Sequence, residues 1–201
     1  MNLQVRVLSI DKIKEKEEQL LSYVSPERRE KAMGMLLQEK RLQEIGSGYF
    51  LKRYLPGDRM LSYTKYHKPV MDGIYFNLSH SCSYVAFFVS DVPCGIDIEK
   101  IREHRQKLIP YAFSEKEAGL IHDDQDFFLF WTRKEALSKA SGLGLIGNDI
   151  KAVPSLEGNV SYQEETYQVK SLVIHGYALS IALKTDENID KVKLIEEEVT
   201  L

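Results

Sequence analysis

The chain has 201 residues, enough for one large domain or two small ones, either of which can bury a core. Its composition is that of an ordinary globular protein, and a formal net charge of −3 excludes polyanion binding by bulk electrostatics, so any phosphate site has to be local. Cys82 and Cys94 make neither a disulfide framework nor a metal spacing, Arg6 and Asp11 interrupt what a signal peptide would keep apolar, and no apolar run is long enough to span a bilayer; a cytoplasmic protein without membrane or nucleic-acid partners is expected.

Residues 3–10, LQVRVLSI, alternate apolar and polar side chains and predict a strand. A short helix is expected in the charged stretch that follows. Residues 25–55 predict a helix for most of their length, with Ser25 as N-cap, Pro26 at the first position and acids in the first turn. Gly46 and Gly48 are expected to end or interrupt it, and Pro56-Gly57-Asp58 to turn the chain. Short strands are expected around 74–78 and 84–90, then the strand GIDIEK at 95–100. Residues 101–125 read as loop and helix. Residues 126–141 predict a helix stopped by a glycine-rich turn. Strands follow at 159–165, 167–174 and 177–184, the last two joined by a hairpin turn at His175-Gly176. The charged tail, 185–201, is assigned no element. Helices and antiparallel strands in each half predict an α+β chain, divided into residues 1–99 and 100–201. No sequence repeat is visible. The acidic pair in GIDIEK falls near the midpoint, and clefts between halves favour ligands.

Asp97 and Glu99 carry the most chemical information. Side chains alternate along a strand, so these two share a face while Ile96 and Ile98 take the other. Two adjacent carboxylates repel unless a cation lies between them, and oxygen-only donors suit Mg²⁺ or Mn²⁺. Taken alone, the same pair also fits a solvent-facing acidic edge. Phe127, Trp131, Glu135 and Lys139 form one stripe along the helix at 126–141. The acid and base at its end are either a simple i,i+4 ion pair or a third metal ligand, with Lys134 and Lys139 turned to phosphate oxygens. Ser79, His80 and Ser81 are expected in a loop at a strand end, able to donate to phosphate, or to serve as a structural turn. Arg28 and Lys31, three apart on one helix face, are placed to hold one phosphate together, although a solvated face is the default for such residues. Ser114 is suited to cap a short helix that carries Glu115 and Glu117, acids that are either dipole partners or a general base. P-loop, dinucleotide-fingerprint and zinc motifs are absent.

The series Lys68-Pro69, FNLSHS (76–81), GIDIEK (95–100), FSEKE (113–117) and WTRKEALSKASGLGL (131–145) resembles the Sfp-like 4′-phosphopantetheinyl transferases. SPERREK near the N-terminus is similar to the same family, and the likeness covers roughly residues 23–145. The resemblance implies a pseudo-twofold pair of α/β halves with coenzyme A in the cleft between them. The implied reaction moves the phosphopantetheine arm of coenzyme A to a serine hydroxyl of an apo acyl or peptidyl carrier protein and releases 3′,5′-ADP. Carried over by motif, Asp97, Glu99 and Glu135 are Mg²⁺ ligands. Lys139 and His80 contact the pyrophosphate, and Glu117 matches the candidate general base. Lys68, Ser79, Arg28 and Lys31 belong to the cofactor-binding set, the last two near the 3′-phosphate. Two positions depart from the pattern: His67 stands where glycine often precedes Lys-Pro, and Arg stands at position 28. The alternatives are a metal-dependent phosphohydrolase and a non-catalytic carrier-protein-binding module. A chain with both halves can form its cleft as a monomer.

Overall fold

The computed structural model of the protein describes residues 3–57, 61–65, 68–104, 106–144, 149–189 and 192–201. His67 lies outside the described residues. The elements form two four-stranded sheets packed face to face, with helices on both outer sides.

The first sheet has the order β10 (Val192–Glu196), β1 (Leu3–Ser9), β5 (Tyr84–Ser90) and β4 (Tyr75–Ser81). The second has β6 (Cys94–Lys100), β9 (Tyr177–Leu183), β8 (Glu165–Ile174) and β7 (Gly158–Tyr162), all antiparallel. Alternation decides which side chains go where. Val5, Val7, Ala86 and Phe88 turn inward against Ile96, Ile98, Leu179 and Ile181 of the second sheet. Phe76, Val85 and Phe87 turn outward and pack under the helices of the first third. Those are α1 (Ile10–Lys14), α2 (Glu17–Tyr23), α3 (Pro26–Met33) and α4 (Gln38–Tyr54). On the far side, Ala136, Leu137 and Ala140 of α7 (Asp124–Ser141) cover Val160, Val169 and Ala182. Two short helices, α5 (Ile109–Ala112) and α6 (Glu115–Ala118), precede α7.

The predicted helix at 25–55 is two helices. Ser25 Oγ accepts from Arg28 N at 3.3 Å and Pro26 opens α3, as expected, but Gly34 caps it and the chain restarts at Gln38. Gly46 and Gly48 do not break α4. A Cβ on Gly46 would come 2.6 Å from Ile13 Cδ1, and one on Gly48 2.9 Å from Val24 Cγ1. These glycines permit close approach rather than a bend. Strands β2 (Leu61–Tyr63) and β3 (Pro69–Met71) were not expected; they pair with each other as a small ribbon. The tail does contain a strand: β10 runs parallel to β1, and Arg6 Nη1 donates to Glu197 Oε1 at 2.5 Å just beyond it. The strand expected at 74–78 continues through Ser81, so Ser79 and His80 are strand residues and not loop residues.

The helix stop and the hairpin are as expected. Gly142 caps α7 at φ +81°, and His175 and Gly176 both have positive φ, the geometry that joins β8 to β9. β6 begins at Cys94, within the half expected to end at residue 99, yet belongs to the second sheet, and β10 lies near the end yet completes the first. Both cysteines are unpaired, and burial pushes the Cys94 thiol up to about 12. Among the described residues no helix is long and apolar enough to cross a membrane.

Candidate active site

The site forms where β4 meets β6, with α7 laid across β6. Three side chains on one face of β4 take the place of a missing ladder. Asn77 Oδ1 accepts from Ile96 N at 2.9 Å, Ser79 Oγ from Ile98 N at 3.4 Å and Ser81 Oγ from Lys100 N at 3.2 Å. The two serines then donate onward, Ser79 to Asp97 Oδ1 and Ser81 to Glu99 Oε2, each at 2.8 Å. The alternation in FNLSHS is therefore that of a strand whose hydroxyls hold the carboxylates of the next one.

Helix α7 brings the cation. Lys139 Nζ is 2.6 Å from Asp97 Oδ1 and also donates to Ile96 O at 3.1 Å and to Ser79 Oγ at 3.3 Å. The i,i+4 ion pair with Glu135 does not form; Lys139 pairs with Asp97. Burial alone would lower the lysine, but Asp97 and Glu135 outweigh it and hold the ammonium above its usual range. Glu135 is pushed up to about 7, first by burial, then by Asp97, with Glu99 adding to the repulsion. Burial also raises Glu99, against the bond from Ser81. Gly95 makes this approach possible: a Cβ there would sit 2.0 Å from Ala136 O and 2.6 Å from Ala140 N. Lys68 Nζ fastens the same corner by donating to Lys139 O at 2.6 Å and to Cys94 O at 3.2 Å, and burial lowers its pKa.

These residues fit a divalent cation in specific respects. Asp97 is buried, and its Oδ2 has no hydrogen-bond partner, an acceptor left over inside the protein. The mutual repulsion at Glu135 is what a cation would relieve. The donors are all oxygen, which suits Mg²⁺ or Mn²⁺. The carboxylates are not closed around one point; among the described residues no three His, Cys, Asp or Glu side chains stand in ligating arrangement. Mg²⁺ commonly takes one or two carboxylates and completes its shell with water and substrate phosphate, so the fit is to a cation that arrives with a phosphate ligand. A cleft of about 490 Å³ reaches this cluster at Glu99 and is lined further by Arg102, His104, Phe127, Phe128 and Trp131. A second, of about 260 Å³, runs beneath Lys68 and Pro69 toward Gly142.

The remaining expected residues fall into two other groups. His80 points to the opposite face of β4 from Ser79, toward α4. Desolvation and then the Lys40 ammonium hold its imidazole below the usual value. Arg28 and Lys31 do converge, but on a carboxylate: both pair with Glu44 of α4. Nothing in the helix pattern singled out Glu44.

Glu117 stands in the second group. It closes a capping box with Ser114 at the start of α6. Its Oε2 accepts from Ser114 N, Ser114 Oγ and Lys134 Nζ, the last at 2.9 Å; its Oε1 accepts from Ser155 N and Oγ. Both oxygens are saturated. Burial would raise its pKa, but the bonds from Ser155, Ser114 and Lys134 outweigh it and hold the carboxyl below its usual range. Geometrically it is a bracket, not a free base. Lys134 does not face phosphate either: it is fully buried and also donates to Ile150 O and Val153 O.

Paired carboxylates held by strand hydroxyls, a half-buried lysine on Asp97 and a cleft alongside make up the cluster. Residues 93–182, which contain β6 and α7, match the 4′-phosphopantetheinyl transferase superfamily. The chain is 31% identical over 159 residues to the 4′-phosphopantetheinyl transferase psf-1 of Bacillus pumilus, covering 71% of this chain and 68% of that one. It is 33% identical over 147 residues to gsp of Aneurinibacillus migulanus, with 69% and 59% covered. It is 29% identical over 147 residues to Sfp of Bacillus subtilis, with 65% and 66% covered. The chain belongs to the 4′-phosphopantetheinyl transferase superfamily. The matches span about three fifths to two thirds of the length of the last two relatives.

Proposed function

We propose that the chain transfers the 4′-phosphopantetheine arm of coenzyme A to a serine hydroxyl of an apo acyl or peptidyl carrier protein, in a Mg²⁺-dependent reaction that releases 3′,5′-ADP. The observation that carries this reading is the Asp97–Lys139 pair with its spare buried carboxylate oxygen, flanked by two further acids whose ionisation is suppressed. On this reading Asp97, Glu99 and Glu135 hold the cation, which supplies charge neutralisation on the pyrophosphate. Lys139 keeps its proton at neutral pH and offers it to the leaving phosphate oxygen, where negative charge develops. Ser79 and Ser81 hold the acids as acceptors. Lys68 joins the C-terminal end of α7 to β6 beside the cofactor. Glu117 acts through Lys134, fixing α7 so that Glu135 and Lys139 face β6.

The two sheet-and-helix halves are proposed as a pseudo-twofold pair, divided between β5 and β6 rather than after residue 99 because β6 belongs to the second sheet. Since one chain supplies the whole cluster, a cytoplasmic monomer suffices. Incubation with coenzyme A and Mg²⁺, with and without an apo carrier protein, tests the function by mass spectrometry. A carrier that gains the phosphopantetheine mass supports it. Hydrolysis of coenzyme A without a carrier indicates a phosphohydrolase, and carrier binding without modification indicates a binding module; either outcome refutes the transferase reading.

A further inference from the structure

A serine hydroxyl that attacks phosphorus needs a group to take its proton, and the acids described above are already committed. Both oxygens of Glu117 are saturated by Ser114, Lys134 and Ser155, and Asp97, Glu99 and Glu135 make up the cation set. The cleft that reaches Glu99 carries an imidazole in its wall: His104 lines the same cavity of about 490 Å³ as Glu99 and Trp131. His104 is one half of a dyad. Its Nδ1 lies 2.5 Å from Asp124 Oδ1 at the start of α7, and its backbone N–H donates to the same oxygen at 2.9 Å. A carboxylate only accepts, so Nδ1 carries the ring proton and Nε2 keeps its lone pair. The bonds from the His104 backbone and ring hold the Asp124 carboxyl below its usual range, so it stays charged. The ring lies flat on Phe127, with centroids 4.7 Å apart and planes at 12°, and the side chain is 7% exposed, which fixes its direction. Nε2 meets the Gln106 amide nitrogen at 3.2 Å, a donor on an exposed side chain. A serine hydroxyl is also a donor and can take that place. The other charged groups lining the cleft are Arg102 and Glu103 on the same loop and Glu99 on β6. Carboxylates ordinarily titrate about two units below an imidazole, so the imidazole is the base matched to neutral pH.

We propose that His104 is the general base of the transfer, with Asp124 as its orienting partner. The inference rests on the transferase reading and names the residue that activates the nucleophile. The serine proton passes to His104 Nε2, the serine oxygen bonds to the phosphorus that carries pantetheine, the bond from that phosphorus to the nucleotide oxygen breaks and 3′,5′-ADP leaves. The imidazolium so formed stands against the Asp124 carboxylate and then gives its proton to solvent.

Transfer to an apo carrier by wild type, His104→Asn, Asp124→Asn and the double variant, followed from acid to alkaline pH at saturating Mg²⁺, tests the assignment, with calorimetric titration of each by coenzyme A. Asn at position 104 keeps a donor for Asp124 and lacks the basic nitrogen. It should lower kcat about 10²-fold or more while affinity for coenzyme A moves by less than about threefold. Asp124→Asn keeps an oxygen that accepts both bonds from His104. It should move the acid limb of kcat to lower pH by about one unit, because a carboxylate beside an imidazole favours its charged form. In the His104→Asn background Asp124→Asn should cost nothing further, since the two act as one unit. A folded His104→Asn with wild-type kcat, or an acid limb unmoved in Asp124→Asn, overturns the proposal and leaves the pair as a clasp between the loop and α7. The limb in Asp124→Asn decides the matter should His104→Asn not fold. Either adverse result beside wild-type transfer leaves the transferase reading intact. Hydrolysis of coenzyme A without transfer, lost in His104→Asn, would refute that reading and keep His104 as the base, and no reaction in wild type would overturn both.

Discussion

Gly95→Ala is the most demanding perturbation of this architecture because it removes no functional group. The added methyl would lie 2.0 Å from Ala136 O, 2.6 Å from Ala140 N and 2.9 Å from Lys139 Cβ. Two of these are backbone atoms in the last turns of α7, so no rotamer change relieves them. Restoring an ordinary carbon contact of about 3.5 Å requires α7 to retreat from β6 by on the order of 1 Å. Overpacking of this kind costs about 1–3 kcal/mol, and for a chain of this size each kcal/mol lowers the melting temperature by roughly 2–4 °C. The same retreat moves Glu135 and Lys139 away from Asp97, and a misplacement of about 1 Å costs on the order of 10²-fold in rate. Thermal melts followed by transfer assays on the folded fraction check both parts. A variant that melts within about a degree of wild type would refute the packing argument. One that is destabilised but fully active when folded would refute the claim that the α7–β6 distance sets the site.

Lys139→Ala should lower kcat more than it raises KM for the nucleotide, since its charge is needed where the leaving group forms; destabilisation with unchanged kinetics would show the lysine to be structural. Asp97→Ala should lose about 10²-fold or more in transfer under saturating Mg²⁺, and full activity would remove it from the metal set. Ser79→Ala strips a donor from Asp97 and an acceptor from Ile98 N, and should cost about 1–3 kcal/mol by chemical denaturation; a loss within error would show that water replaces the hydroxyl. Glu117 has a depressed pKa in the fold, so its contribution to stability is present above the unfolded value near 4.5 and is lost as pH falls through the folded value. Glu117→Gln should therefore be destabilised at pH 7 and converge on wild type in acid; a gap of constant size from pH 7 down to pH 3 would contradict this.

Local rules made part of this legible in the sequence. Alternation placed Asp97 and Glu99 together, the capping signature placed Ser114 and Glu117, and glycine marked the end of α7. Tertiary contacts overrode the same rules elsewhere. Gly46 and Gly48 resemble breakers until one sees what packs against them, and the β10 strand is stable only because β1 offers it an edge 189 residues away in sequence. The partners of charged residues were the least legible. Arg28 and Lys31 on a helix face specify a direction but not an occupant, and Glu44 comes from the next helix. Likewise Lys134 and Lys139 are near neighbours on α7, yet one is sealed against Glu117 and the other turned to Asp97, a difference that only the packing of β6 and α6 decides.

The serines of β4 also fix the direction in which protons can be shared. Each hydroxyl has one hydrogen. Ser79 and Ser81 receive a backbone N–H from β6 on one side, so that hydrogen is left for the carboxylate on the other. The peptide group cannot reverse its polarity, and so neither can the serine. Asp97 Oδ1 and Glu99 Oε2 are thereby held as acceptors at that contact, while Asp97 Oδ2 stays without a partner. The backbone of one strand thus acts, through two hydroxyls, as a rectifier that keeps two crowded acids ready to receive positive charge before any arrives.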